Sequence, residues 1–432
     1  MSSRILLALA LVAPVTARAD DSALPGLLAR TDQLAKEVAK VRGLRLKHAI
    51  PNEVIDRTEL HTRLVALAGD DKTAAATAAE GLAMKRWGLV PFDFDYTGAL
   101  VDLLSDQIAG YYDTKTKKLT ILDSAGSDPD WAEMVFAHEL DHGLQDQAFD
   151  LEKFEKLPDD ATDAAIARHA LVEGDGVALM LEVLLAREGI TNPWHDPEAS
   201  GRVLDAMLAP VGDTLDKAPL AIRAEMLFPY HAGFAFVAAL RRHQPWSAID
   251  AAFRRPPKST EQILHVDKYL ADDQPIAIAA ATPASLTGLT LVHSGVWGEL
   301  GFATFLDAHG IGTQVASEAS AGWGGDRALL FAHEGDPNAR HATGLVRSEW
   351  DTEADAMEAQ AALERAVDDL IVGATVEHTG LRVRWLALDG TVAWVERRGT
   401  GVMLTIGVPA YDADALAAEA WTVITPKRQT KR

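Results

Sequence analysis

Met134-Val135-Phe136-Ala137-His138-Glu139-Leu140-Asp141-His142-Gly143-Leu144-Gln145 is the stretch on which the reading of this chain turns. It contains His-Glu-x-x-His. On a helix, His138 and His142 leave the same face one turn apart, so two imidazole nitrogens can converge on one metal ion. Glu139 stands beside them, placed to reach a water on the metal rather than the metal itself, which is where hydrolysis needs a general base. Helix signals surround the motif: Ser127 and Asp128 offer caps, Pro129 suits a first turn, and Trp131, Val135, Ala137 and Leu140 supply an apolar face. The bland alternative is an amphipathic helix carrying two solvated histidines.

A third ligand is expected downstream. Ala170-Leu171-Val172-Glu173-Gly174-Asp175-Gly176-Val177-Ala178-Leu179-Met180 sets Glu173 in an apolar, small-residue helical run. An unpaired carboxylate there is expensive to bury, and a cation removes that cost. The separation from His142 leaves room for a loop and a return helix. His138, His142 and Glu173 would bind one zinc per chain and leave a fourth tetrahedral position for water. Asp175, ahead of Asp146, is the candidate partner for the outer nitrogen of a ligand histidine.

His-Glu-x-x-His followed by a distant helical Glu resembles the gluzincin group of zinc metallopeptidases. More closely, Ala137 to Gln147, Ala170 to Asp175 and Ser259-Thr260-Glu261-Gln262-Ile263-Leu264-His265 together resemble a set of secreted bacterial proteins described as peptidase-like. The resemblance implies an α+β fold: a mainly helical, zincin-like catalytic region with a small edge sheet, then a C-terminal α+β domain. It also implies a Tyr or His donor to the oxyanion from a later segment, for which Tyr230 and His265 are the candidates. No Asn precedes Glu173 and no Asp follows it by four, so thermolysin's supporting residues are not carried over.

The implied activity is zinc-dependent hydrolysis of peptide bonds, with Glu139 as base and a peptide or protein as substrate. Two alternatives share the motif: a non-enzymatic envelope binding protein on a zincin scaffold, and a zinc hydrolase of a non-peptide amide. An intact Glu139 weighs against the first, because a purely structural metal site has no use for that acid.

Residues 1–19 read as a secretory signal, with Arg4, an apolar core from Ile5 to Val15, and the small-x-small Ala17-Arg18-Ala19. No later segment offers about 18 uninterrupted apolar residues, so no stable membrane insertion is expected once the signal is removed. Cysteine is absent from all 432 residues, which excludes a disulfide framework and leaves His and carboxylate as metal ligands. Both features fit a secreted or periplasmic protein. A formal net charge of −22 makes nucleic acid an unsuitable partner. Oligomeric state is not legible.

The length calls for several domains. Residues 20–90 are expected to be helical, as a structural lobe rather than a pro-segment, and 91–275 to form the metallopeptidase domain. Within the latter, Gly110 to Asp123 reads as strand-turn-strand, and Leu119 to Leu122 is expected to be the sheet edge that takes an extended peptide. Asp150 to Asp160 reads as a surface loop. His169, His195, His243 and His293 read as ordinary. An accessible linker is expected within Leu270 to Pro283, then a C-terminal α+β domain over 284–426 and a basic tail over 427–432. In that domain Gly322 to Arg327 reads as a sharp turn, lacking the Lys-Ser/Thr of a phosphate loop.

Overall fold

The computed structural model describes residues 24–127, 129–187, 189–190, 193–196, 200–205, 215–336 and 338–426. Residues 1–23, with the stretch expected to be a signal, the basic residues 427–432 and Asp128 lie outside them. The fold is α+β.

The N-terminal part runs α1 (Leu24–Ala29), α2 (Thr31–Arg42), β1 (Asn52–Ile55), α3 (Arg57–Ala68), α4 (Asp71–Arg86) and α5 (Tyr96–Gln107). Asp56, Asp70 and Asp95 cap the last three, each accepting a backbone N–H of the first turn. β2 (Gly110–Asp113) and β3 (Lys118–Leu122) follow as the expected hairpin, and then α6 (Pro129–Phe149) carries the His-Glu-x-x-His motif. β1 pairs in parallel with β3, and β2 pairs antiparallel on its other side. β3 is therefore the interior strand, which corrects the expectation that Leu119 to Leu122 forms the edge. It is buried on both faces, as a covered strand requires: Leu119, Ile121 and Leu122 have no exposure, and Thr120, on the face shared with Leu122, is buried with its hydroxyl on Glu53. The edge facing α6 is β2 instead.

After α6 come a short α7 (Leu151–Phe154), within the stretch expected to be loop, and the long α8 (Thr162–Arg187) with Glu173 at its middle. α9 (Leu220–Arg241), α10 (Ser247–Arg254), α11 (Thr260–Leu264) and α12 (Val266–Leu270) complete the helical body. One apolar cluster runs from Leu24 through α6, α8 and α9 to Tyr269. The first helices thus share their core with the motif helix, and β1, lying in a stretch expected to be helical, belongs to its sheet.

The C-terminal part is a seven-stranded antiparallel sheet. In chain order its elements are β4 (Ile278–Ala280), β5 (Thr290–Gly295), α13 (Gly298–Ala308), α14 (Thr313–Ser320), β6 (Trp323–Ala332), β7 (Thr343–Trp350), α15 (Glu353–Leu370), β8 (Thr375–Thr379), β9 (Arg382–Leu386), β10 (Thr391–Arg398), β11 (Gly401–Pro409), α16 (Ala413–Val423) and β12 (Ile424–Pro426). The sheet order is β5-β6-β7-β11-β10-β9-β8, and β4 pairs separately with β12. Helices cover both faces. Ala328, Leu330 and Ala332 of β6 join the core under α13 to α15, while Leu329 and Phe331 join the core under α16, so the strand reads as a continuous apolar run. Gly322 to Arg327 is not a turn: from Trp323 it is the start of β6, irregular in register between Trp323 and Gly325. Of the accessible linker expected within Leu270 to Pro283, the second half is held in a strand. Ile276 donates its N–H to Gly324, and Ile278 to Ala280 are paired with Pro426 to Ile424.

The two bodies meet through polar contacts at the start of α8. The Thr162 hydroxyl donates to the Val296 carbonyl (2.6 Å) and accepts the Val296 N–H (2.8 Å). Arg327 reaches Asp160, and Thr260, whose N–H and hydroxyl Asp163 accepts within the helical body, takes the Leu300 N–H on its hydroxyl; away from α8, His309 Nε2 bonds the Trp87 carbonyl. The Ser259 to His265 motif is thus a docking element, with Ser259 capping α11 against the Gln262 N–H. Among the described residues no helix is long and apolar enough to cross a membrane.

Candidate metal centre

From Val135 to Asp146 every residue of α6 is buried. His138, Glu139, Asp141, His142 and Gln145 are all buried, which rules out two solvated histidines on an amphipathic helix. His138 and His142 turn toward α8, and Glu173 answers them. His138 Nε2 lies 3.1 Å and His142 Nε2 3.6 Å from Glu173 Oε2, and the two imidazole nitrogens are 3.0 Å apart. Ligand atoms about 2.0–2.1 Å from a tetrahedral ion stand roughly 3.3 Å from one another. The three separations fit that spacing, and among the described residues these are the three that converge as a metal-holding group. Two imidazoles and one carboxylate suit a divalent cation.

Small residues make the convergence possible. A Cβ on Gly176 would stand 2.8 Å from His138 Nδ1, so only glycine leaves room for that ring against α8. α8 and α9 touch backbone to backbone where Gly174 meets Gly233. That crossing sits next to Glu173 and one turn from Tyr230, whose hydroxyl hydrogen-bonds the Glu173 carboxylate. Tyr230 is buried, with its ring 6.5 Å from that of His138. The structure therefore brings one of the two proposed oxyanion donors to the site.

His265 is elsewhere. Its Nε2 bonds Glu299 Oε1 at 2.9 Å, on α13 of the C-terminal body, so the candidate role for His265 is corrected to one at the domain junction. The reason is local: α11 is a single short turn, and its end points to α13 rather than to α6.

Charge within the cluster is strongly organised. Burial opposes ionisation of Glu173, but the imidazoles of His142 and His138 hold its carboxyl well below the ordinary range. Burial likewise opposes a charge on His142, and the Glu173 and Glu139 carboxylates overcome it, raising the imidazole to about 10. Glu139 is pushed up by burial against the pull of His142 and His138. Its carboxylate faces the Tyr112 backbone amide on the outer edge of β2, and its Oε2 has no hydrogen-bond partner among the described residues. A buried acid with one unmatched oxygen beside a metal-ligand set is poised to handle a proton.

The outer nitrogen of His142 is held, though not by Asp175 or Asp146 as expected. Gln145, one turn along α6, sits 2.9 Å from His142 Nδ1. Asp175 acts one step back, accepting from Gln145, and Asp146 is taken by the Tyr112 hydroxyl and Lys117. An acid at position 175 is on the wrong side of α8 to touch the ring, while Gln145 shares a helix face with His142. His169, read from the sequence as ordinary, is also beside the cluster. It lies one turn before Glu173 on α8, with Nε2 3.7 Å from Glu173 Oε1 and Nδ1 3.6 Å from Glu155 Oε1. The signal available in the sequence was its i, i+4 spacing to Glu173.

A family model described as a domain of unknown function (DUF8575) matches residues 289–417. That span is the seven-stranded sheet with its helices, and it contains none of the metal-site residues. Neither the curated proteins nor the solved structures include a match.

Proposed function

We propose that this chain is a secreted zinc-dependent metallopeptidase. The observation that carries the reading is the buried convergence of His138, His142 and Glu173 with Glu139 alongside, its one oxygen unmatched. Two imidazoles, one carboxylate and no thiolate form the ligand set of a catalytic rather than a structural zinc. Zinc bound there supplies Lewis acidity for a carbonyl and for water.

The chain's own residues account for the remaining steps. Glu139 takes the proton of the attacking water and delivers it to the leaving amine, and burial raises its pKa toward the range that this double duty needs. Tyr230 donates its hydroxyl to the developing oxyanion. β2 leaves one edge unpaired beside Glu139, and an extended peptide can add to it through main-chain hydrogen bonds. That edge favours a peptide over a small amide as substrate. Secretion rests on the signal-like residues 1–19.

The test is zinc content followed by digestion of an unbiased peptide library. The expected result is about one zinc per chain, lost in His142→Ala and Glu173→Ala, and cleavage that disappears in both. Full zinc retention by both variants after dialysis against chelator sinks the ligand assignment, and a zinc-loaded chain that cuts no peptide sinks the peptidase reading.

A further inference from the structure

The metal-site helix is tied to the N-terminal helix α2 through a buried chain of polar contacts. Gln145 Nε2 lies 3.0 Å from Asp141 Oδ2, 3.0 Å from Asp175 Oδ2 and 3.1 Å from the Val172 carbonyl. All three are acceptors, so only the NH2 end of the amide can face them, and the orientation of this side chain is settled by chemistry. The carbonyl end must then face His142 Nδ1. A carbonyl oxygen only accepts, so His142 donates from Nδ1, and in the neutral ring that a metal requires the Nε2 lone pair is the one directed at the ligand cluster.

What fixes Asp175 is Arg42, the last residue of α2. Its Nε and Nη2 donate to the two carboxylate oxygens at 2.8 and 3.0 Å, and its Nη1 donates to Asp250 at 2.9 Å. The guanidinium also lies over the Trp246 ring, 4.6 Å from its centroid. Neither the Arg42 nor the Asp175 side chain has any exposure to solvent. The planar fork holds both Asp175 oxygens in one plane, an arrangement that a point charge would not enforce.

We propose that Arg42 is a positioning residue of the metal centre: it orients Asp175, Asp175 with Asp141 orients the Gln145 amide, and the amide selects the tautomer of His142 that presents Nε2 to a metal. The inference rests on the metal-centre reading above. It makes α2 an integral part of the catalytic body, so removal of the chain through Arg42 would cripple the site rather than release it.

The test compares the full chain with Arg42→Met, Gln145→Met and the double variant. Two readouts are taken: the zinc dissociation constant from competition with a chelator, and the tautomer of the neutral His142 ring in the metal-free protein, read above the pH at which the imidazolium loses its second proton, from long-range proton–nitrogen NMR of histidine-labelled chain. Zinc affinity is expected to fall about 10- to 100-fold in either single variant. The Nδ1–H tautomer of His142 should give way to a mixture in both. The double variant should be no weaker than the weaker single one, because both act along one path. Should Arg42→Met fail to fold, Arg42→Lys, which keeps the charge and loses the fork, is read in the same way. Wild-type affinity and tautomer in the Arg42 variant, or losses that simply add in the double variant, overturn the proposal. Should the wild type take up no zinc, the metal reading fails, and the tautomer measurement alone then decides whether Arg42 governs His142.

Discussion

Gly174 and Gly233 press α8 and α9 together so closely that a Cβ on Gly174 would stand 2.2 Å from the Gly233 carbonyl carbon. A Cβ on Gly233 would in turn stand 2.0 Å from the Ala170 carbonyl oxygen. Alanine is intrinsically the better helix former by about 1 kcal/mol. Backbone cannot yield as a flexible side chain does, so overpacking of roughly 1–3 kcal/mol wins. Gly233→Ala is therefore expected to destabilise the chain and to draw Tyr230 away from Glu173. Denaturant unfolding together with turnover measures both effects, and an unchanged unfolding midpoint would mean the helices are not in backbone contact.

Glu139→Gln should keep its zinc and its fold, since it removes a proton acceptor and leaves the three ligands in place. Hydrolysis should fall by about three orders of magnitude or more. Residual cleavage at the wild-type rate would assign the base to another residue.

Tyr230→Phe and His265→Ala separate the two oxyanion candidates. Tyr230 touches Glu173 and His265 is engaged by Glu299, so only the first substitution is expected to lower kcat, by on the order of a hundredfold with little change in KM. Equal effects of the two substitutions on kcat would contradict this assignment.

The packing of α11 on the start of α8 should weaken with rising pH. Burial pushes the Asp163 carboxyl up to about 8 against the hydrogen bonds from Thr260, with Asp326 and Glu261 adding to the rise. A folded-state pKa above the unfolded value means that the folded chain binds more protons across that window, so stability falls as pH climbs from about 4 to about 8. Unfolding at fixed zinc loading, compared between pH 5 and pH 8, should show the loss, and Asp163→Asn should reduce it by about 1 kcal/mol or more. A pH dependence identical in the two proteins would show that Asp163 keeps its ordinary pKa.

By itself the sequence determined the motif helix and its chemistry. A four-residue spacing on a helix is local geometry, so His138, Glu139 and His142 could be assigned from the chain alone, and a lone acid in an apolar run marked Glu173. It also determined the strand-turn-strand of Gly110 to Asp123, because burial imposes its period on the residues; β6 went unread at its start because two glycines there look like a turn. Tertiary structure decided everything that depends on which elements become neighbours. Tyr112 and Lys118 lie on adjacent strands of one hairpin, yet only pairing with β1, from far up the chain, makes β3 the interior strand and β2 the edge beside Glu139. Tyr230 and His265 were equivalent candidates in sequence, and Tyr230 proves to lie in the middle of α9. The glycine crossing of α8 and α9 brought one to Glu173, and the docking of α11 on α13 gave the other to Glu299. Arg42 carried no signal at all. Its partners lie more than a hundred residues away in sequence, and contacts of that range are set by packing of whole helices rather than by any local pattern.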